Sequence, residues 1–217
     1  MDESVILHAE RSFLVCRKPV GVECEHELPA LLAEEVRCKV DSLYCVHRLD
    51  RAVGGVMVWA RTPKAAAELS RQVQEKALKK AYFAVCSGIP TPDTGEMRDL
   101  LFKDSVKQKS FAVSSSHCGV KEALLDYRVL QTDVLNGSPA ALVRVTLRTG
   151  RFHQIRCQFA TRGHPLLGDG KYGSRERGCT TALWSCRLAF FHPETHAPLV
   201  FEAAPPRVFP WDRFPWR

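Results

Sequence analysis

The stretch Val46-His47-Arg48-Leu49-Asp50, with the apolar run Val56-Met57-Val58-Trp59-Ala60 just behind it, organises the reading of this 217-residue chain. It places an imidazole, a guanidinium and a carboxylate within four residues, directly ahead of a segment apolar at every position, the pattern of a fully buried strand. If His47 to Asp50 is extended, Arg48 and Asp50 project to the same side, because strand side chains alternate. A carboxylate beside a guanidinium stays ionised. Any single Arg-x-Asp is read most simply as an ion pair at a strand end. A second segment raises its importance: Thr149-Gly150-Arg151-Phe152-His153-Gln154-Ile155-Arg156, followed by Gly163-His164-Pro165-Leu166-Leu167-Gly168-Asp169.

Working outward, Thr62-Pro63 combines a capping hydroxyl with a first-turn proline and starts a helix running to about Ala77. Its inner face is expected to carry Ala66, Leu69, Val73 and Ala77. Upstream, Val5 to Val15 predicts one or two short strands, Lys18 to Gly21 a turn, and Pro29 to Lys39 a short amphipathic helix. Downstream, Ala81 to Cys86 predicts a strand ending at Gly88, and Ile89 to Gly95 a loop that divides two lobes. Phe111 to Ser115, Ala123 to Leu130 and Ala140 to Leu147 predict antiparallel strands, the last two joined at Asn136-Gly137. His153 to Arg162 predicts a short helix stopped by Gly163 and Pro165. Leu183 to Phe191 and Leu199 to Phe201 complete the strands, and the tail from Pro205 is expected to pack on the surface. Strands cluster with few helices between them, so the fold class is α+β with a mixed or antiparallel sheet, not a doubly wound one.

With 45% hydrophobic and 25% charged residues, the chain can bury a sizeable core in a single domain spanning 1–217. No apolar run approaches the roughly 20 residues that cross a membrane. Residues 1–10 are polar and acidic, unlike a secretory signal, so a cytoplasmic protein is expected. The net charge of +7 and a pI near 9.0 favour polyanionic partners. Lys103, Lys107 and Lys109 cluster, as do Arg71, Lys76, Lys79 and Lys80, while Arg144, Arg148, Arg151 and Arg156 surround the second segment. The nine cysteines are odd in number and lack a Cys-x-x-Cys, which fits free thiols in a reducing compartment. Cys179, Cys186, His192 and His196 are spaced too unevenly for a structural zinc site, so no metal is expected.

Taken together, the two segments resemble the RluA-like family of RNA pseudouridine synthases. His47-Arg48-Leu49-Asp50 matches its His-Arg-Leu-Asp motif and Lys80-Ala81-Tyr82 its Lys-x-Tyr. Gly150 to Arg156 matches Gly-Arg-x-His-Gln-Ile-Arg, Gly163 to Gly173 matches Gly-x-Pro-x-x-Gly-Asp-x-x-Tyr-Gly, and His192-Pro193-x-Thr195 also fits. The matches keep the family order from about Lys18 to Glu202. The resemblance implies the pseudouridine synthase fold, a mixed central sheet in two lobes with a catalytic cleft between them. The catalytic pattern begins near residue 5, so no N-terminal RNA-binding appendage is expected. It also implies a cofactor-free enzyme acting on ribosomal or transfer RNA, with monomer as the default state. Asp50 would be the essential carboxylate and Arg156 the arginine that pairs with it. Tyr82 would stack on the target base and Arg48 would help expel the nucleotide. His47, Arg151, His153 and Gln154 would bind substrate or shape the cleft, with a bracing role for His47 equally open. Asp169 is expected to form a structural turn.

Five positions depart from the family pattern. Val53-Gly54-Gly55 stands where Thr-Ser-Gly is usual, Phe152 and Gln158 replace a Thr and a His, and Trp184 replaces a common His. The charged and aromatic chemistry is intact, so an active enzyme is expected. The competing reading is a catalytically silent RNA-binding or assembly protein. A hydrolase using Asp50 and His153 ranks last, since it would need a second acid.

Overall fold

The structure, a computed structural model, describes residues 4–215. In chain order the elements are β1 (Ile6–Ala9), β2 (Phe13–Lys18), α1 (Glu27–Glu35), β3 (Tyr44–Cys45), β4 (Gly54–Ala60), α2 (Pro63–Gln74), β5 (Lys79–Ser87), β6 (Thr94–Asp104), β7 (Lys109–Val113), β8 (Val120–Leu135), β9 (Ser138–Leu147), α3 (Gln154–Thr161), β10 (Leu183–Phe191) and β11 (Pro198–Glu202). Their composition is α+β, and the chain divides into two compact units.

The first unit holds the residues through Lys80 together with Trp184–Pro205. Its strands run in the order β1-β2-β4-β10, with β3 on β4 and β11 on β10. Most neighbours are antiparallel, but β4 and β10 run parallel, in register at Trp184–Gly54 and Ser185–Gly55. All seven residues of β4 are buried, as its unbroken apolar sequence predicts. Phe13, Val15, Val56, Val58, Leu188 and Phe190 pack there with Ala65 and Leu69 of α2. The Thr62 side chain caps α2 by accepting the Ala65 amide at 3.2 Å. The helix ends at Gln74, three residues before the predicted Ala77, where Lys76 enters a left-handed conformation (φ 58). The inner face also differs, because it includes the polar Gln72. Its amide donates to the Phe191 carbonyl (2.9 Å) and accepts the Phe191 amide (2.8 Å), which pins α2 to β10. α1 spans Glu27–Glu35, earlier than the predicted 29–39, and is followed by the left-handed Arg37 (φ 52).

The second unit holds Ala81–Leu183 and the residues from Pro206 on. Its strands are ordered β5-β9-β8-β6-β7, with β6, β7, β8 and β9 pairing antiparallel. Asn136-Gly137 makes the β8–β9 turn with both residues at positive φ (50 and 75), the conformation a two-residue hairpin needs. The loop expected to divide lobes, residues 89–95, instead joins β5 to β6 inside this unit. The tail also departs from expectation: Trp211 and Phe214 are buried, and Gln131 Nε2 donates to the Pro215 carbonyl at 3.0 Å. Large aromatic rings gain more from burial than a surface position would allow.

Candidate active site

Asp50 stands on the loop from β3 to β4 in the first unit. Side chains on this loop alternate: His47 and Leu49 are buried, Arg48 is exposed and Asp50 is half-buried. That is the alternation expected of an extended segment, with Arg48 and Asp50 outward. The carboxylate partner of Arg48 is Glu25, and Arg51 pairs with Glu27 at 3.3 Å.

The backbone around Asp50 is tied down on several sides. Val53 N–H donates to the Asp50 carbonyl (2.9 Å), and Gly21 N–H donates to the Arg51 carbonyl (2.9 Å). The Arg51 guanidinium returns a bond to the Gly21 carbonyl at 2.7 Å. The Cys24 thiol donates to the Leu49 carbonyl at 3.2 Å. Lys18 is fully buried; its ammonium donates to the carbonyls of Pro19 (2.9 Å), Val22 (2.7 Å) and Arg51 (3.3 Å). Burial lowers the Lys18 pKa, while the nearby Cys24 and Asp50 oppose that shift. Lys18 and Cys24 were not legible as site residues: a lysine before a proline in a turn reads as solvated, and only the fold folds it inward.

His47 is buried, and its Nε2 accepts the Val58 amide at 3.2 Å. Burial first, then the charge of Lys80, holds the imidazole well below its ordinary pKa. A neutral ring locked to β4 braces the Asp50 loop. Lys80 itself is pushed down to about 8 by burial, with Cys45 acting the other way. Backbone contact at Gly54 and Gly55 accounts for one family departure. A Cβ on Gly54 would lie 3.0 Å from Trp184 Cε3 and closer still to Cζ3, and one on Gly55 (φ +117) would strike the Ser185 backbone. The indole of Trp184, anchored through Nε1 to the Ala203 carbonyl at 2.9 Å, thus occupies the space a serine at 54 would need.

In the second unit Tyr82 is buried on β5. Arg156 sits in the first turn of α3 and is buried. Its guanidinium grips Asp169 with two prongs, Nε to Oδ2 at 2.6 Å and Nη2 to Oδ1 at 2.8 Å. The guanidinium carbon also lies 5.2 Å from the Tyr172 ring centre. Asp169 does sit in a turn, as expected, but its carboxylate has this further task. The loop before α3 is clamped to β8. Gln154 Nε2 donates to the Leu124 carbonyl (3.1 Å), while its Oε1 accepts from Thr149 Oγ1 (2.8 Å) and Arg151 N–H (3.0 Å). Arg151 Nε donates to the Glu122 carbonyl at 2.8 Å. His153 adopts a left-handed conformation (φ 51), stacks on Phe152 at 3.9 Å between ring centres, and reaches the Tyr172 hydroxyl with Nδ1 at 3.2 Å. Gln154 and Arg151 therefore shape the loop that presents Arg156. Gln158, in place of a histidine, donates to Asp99 Oδ2 at 2.6 Å and to the Met97 carbonyl at 3.1 Å.

Among the described residues no three His, Cys, Asp or Glu side chains converge as metal ligands. His192 Nδ1 instead accepts the amides of Glu194 (3.0 Å) and Thr195 (3.1 Å).

Comparison with known proteins bears on the family and the fold. The family model described as RNA pseudouridylate synthase matches residues 12–161, more than half of the chain. An Aquifex aeolicus protein named "Uncharacterized RNA pseudouridine synthase" is 36% identical over 76% of this chain. The Yersinia pestis "Dual-specificity RNA pseudouridine synthase RluA" is 31% identical over 91% of this chain and 97% of its own length. The solved structure of "Human RNA Pseudouridylate Synthase Domain Containing 1" superposes with a TM-score of 0.82 at 26% identity, covering 97% of this chain and 88% of that one. The chain belongs to the RNA pseudouridylate synthase family and to its RluA-like members, and its fold is the pseudouridine synthase fold. It spans 54% of the length of the Aquifex relative.

Proposed function

We propose that the chain is an RNA pseudouridine synthase acting on uridines of ribosomal or transfer RNA, with Asp50 as its essential carboxylate. The reaction is an isomerisation. The bond from sugar to uracil nitrogen breaks, the uracil turns, its C5 bonds to the sugar, and the C5 hydrogen is released to water while the freed nitrogen takes up a proton. Neither redox chemistry nor an energy source is required. A carboxylate serves here as nucleophile or as base. The observation that carries the reading is the tethering of the Asp50 loop, in which Lys18, Cys24 and Gly21 fix the backbone on either side of a half-buried carboxylate. Holding a reactive group in place while leaving it reachable is what catalysis requires, and a surface ion pair needs no such scaffold.

Arg156 is the arginine that orients Asp50, Tyr82 the ring on which the uracil stacks, and Arg48 the cation that fills the gap left by the flipped nucleotide. Flipping costs a few kcal/mol, least in an RNA loop, and an exposed guanidinium exchanging a carboxylate for a phosphate suits that step. The RNA and the free thiols of all nine cysteines suit a cytoplasmic site of action. The test is tritium release from RNA labelled at uridine C5, with ribosomal and transfer RNA transcripts offered separately to wild type and Asp50→Ala. Release by wild type alone is expected; equal release by Asp50→Ala, or none by either, overturns the reading.

A further inference from the structure

Tyr172 is tied down more firmly than a turn residue needs. It closes the short helical turn Gly170–Tyr172, its amide donating to the Asp169 carbonyl at 3.0 Å. Its side chain is buried in a cluster with Leu101, Ala123 and Cys157. The hydroxyl accepts the Ser110 amide (2.8 Å) and donates to the Ser110 carbonyl (3.2 Å). A hydroxyl has one proton and two lone pairs. The second lone pair meets His153 Nδ1 at 3.2 Å, so that nitrogen is the donor. Every bonding position of the hydroxyl is thus filled, two of them by the main chain of one buried residue of β7. Ser110 also ties β7 to the loop before α3, since its Oγ donates to the Phe152 carbonyl at 2.5 Å. Burial pushes the Tyr172 pKa up, so the hydroxyl is an anchor and not a proton carrier.

What the anchor holds is the ring, and the guanidinium carbon of Arg156 lies over that ring, 5.2 Å from its centre. The two-pronged contact with Asp169 fixes the guanidinium within its own plane. It does not by itself stop the group rocking about the line that joins the two side chains. A ring set against the guanidinium opposes that rocking, and the attraction of a ring face for a cation adds to the restraint. Both restraints issue from one turn, because Asp169 and Tyr172 are joined by the amide-to-carbonyl bond above. β7 grips the same turn a second time: Lys109 Nζ donates to the Lys171 carbonyl at 2.7 Å and lies 4.7 Å from the centre of the Tyr172 ring. β7, the turn and Arg156 are therefore one connected assembly, with the tyrosine at its middle.

We infer that Tyr172 is a positioning residue for the reaction: its ring sets the tilt of Arg156, and its hydroxyl, held by the Ser110 main chain, sets the ring. This rests on the reading of Arg156 as the arginine that orients Asp50, so one of the two readouts needs no activity. Wild type, Tyr172→Phe and Tyr172→Met are compared as the whole chain. Phenylalanine keeps the ring and loses the anchor, while methionine fills the space flexibly and offers no ring. The first readout is hydrogen exchange of the Arg156 Nε–H, which donates to Asp169 Oδ2, followed by NMR. The second is kcat and KM for tritium release, with thermal unfolding measured alongside. In Tyr172→Met the Nε–H should exchange faster, and kcat should fall by roughly 100-fold with KM unchanged, the scale of a small misplacement of a reacting assembly. Tyr172→Phe should unfold at a lower temperature, because the buried Ser110 amide and carbonyl lose their partner, yet keep most of its kcat and its Nε–H protection. Should Tyr172→Met fail to fold, a trifluorinated phenylalanine at position 172 takes its place. It keeps the ring's shape and weakens its attraction for a cation, so kcat should fall about fivefold below that of Tyr172→Phe, with faster Nε–H exchange. Unchanged kcat or unchanged Nε–H exchange in the folded ring variant overturns the proposal. So does an equal loss of kcat in Tyr172→Phe, or a rise in KM alone. If the exchange contrast appears while wild type releases no tritium, Tyr172 still sets Arg156 and the synthase reading alone fails.

Discussion

Arg156 and Asp169, thirteen residues apart, form a two-pronged buried ion pair in which the carboxylate is 1% exposed. The geometry is the fork-to-fork match that guanidinium and carboxylate make best. A residue that reads as part of a glycine-flanked turn therefore fixes the direction of the arginine proposed to orient Asp50. Removing the carboxylate strips a buried guanidinium of two charge-assisted hydrogen bonds. Asp169→Ala should cost about 3–5 kcal/mol in denaturant unfolding. Asp169→Asn keeps the shape but loses one charged prong; its turnover should fall by roughly 100-fold, the scale of an ångström-sized misplacement. Turnover near wild type in a folded Asp169→Asn would remove Asp169 from the positioning of Arg156.

Gly54 and Trp184 should behave as a coupled pair. Gly54→Ser forces a side chain into the indole, and overpacking of this kind costs about 1–3 kcal/mol. Trp184→His vacates that volume, so the double variant should recover most of the loss. Additive losses in thermal unfolding, with no recovery, would show that the two positions do not share one space.

Lys18→Met should loosen the Asp50 loop. It abolishes three donated hydrogen bonds and leaves their carbonyl acceptors short of partners, at a cost of roughly 2–4 kcal/mol. Hydrogen exchange is the direct readout: the amides of Gly21 and Val53, which bond within this loop region, should exchange faster in the variant. Unaltered protection there would mean that the loop stands without the lysine.

Lys80 supplies a pH signature. Burial brings its pKa down from 10.5 to about 8, so the folded protein sheds this proton before the unfolded chain does. The unfolded state then binds more protons across this window, and stability rises with pH from about 8 to about 10.5. Below that window the cost of the buried charge is felt in full. Relative to Lys80→Met, wild type should gain about 2–3 kcal/mol between about pH 7.5 and about pH 10. Parallel pH profiles for the two proteins would contradict the burial of this ammonium.

Glu25 should restrain Arg48. The pair is exposed on both sides, so its worth is at most about 1 kcal/mol. Glu25→Gln should tighten RNA binding by up to about fivefold at low salt, the gain fading as salt rises. Weaker binding would assign the glutamate a contact of its own with the substrate.

Much of the fold was legible because local pattern and tertiary demand coincide. The apolar run 56–60 could only be a buried strand, Thr62-Pro63 could only start a helix, and Asn136-Gly137 carried its own turn. β6 went unseen for a physical reason: its two buried residues, Met97 and Leu101, are four apart, which is helical spacing. The strand exists because β7 and β8 pair with it on both sides, and such pairing is not a local property. The tail misled in the opposite sense, since a proline-rich segment looks superficial until a cavity is found for Trp211 and Phe214.

The sequence by itself determined the family, the fold class and the order of the chemical groups, because those reside in residue types at set spacings along the chain. Only the tertiary structure decided which groups serve one another. Lys18, Cys24 and Gly21 hold the Asp50 loop, Asp169 aims Arg156, Trp184 takes the room left by Gly54, and Glu25 engages Arg48. These relations join residues 13 to 130 positions apart, and at such separations only folding, which closes those loops against their entropy, brings side chains into contact.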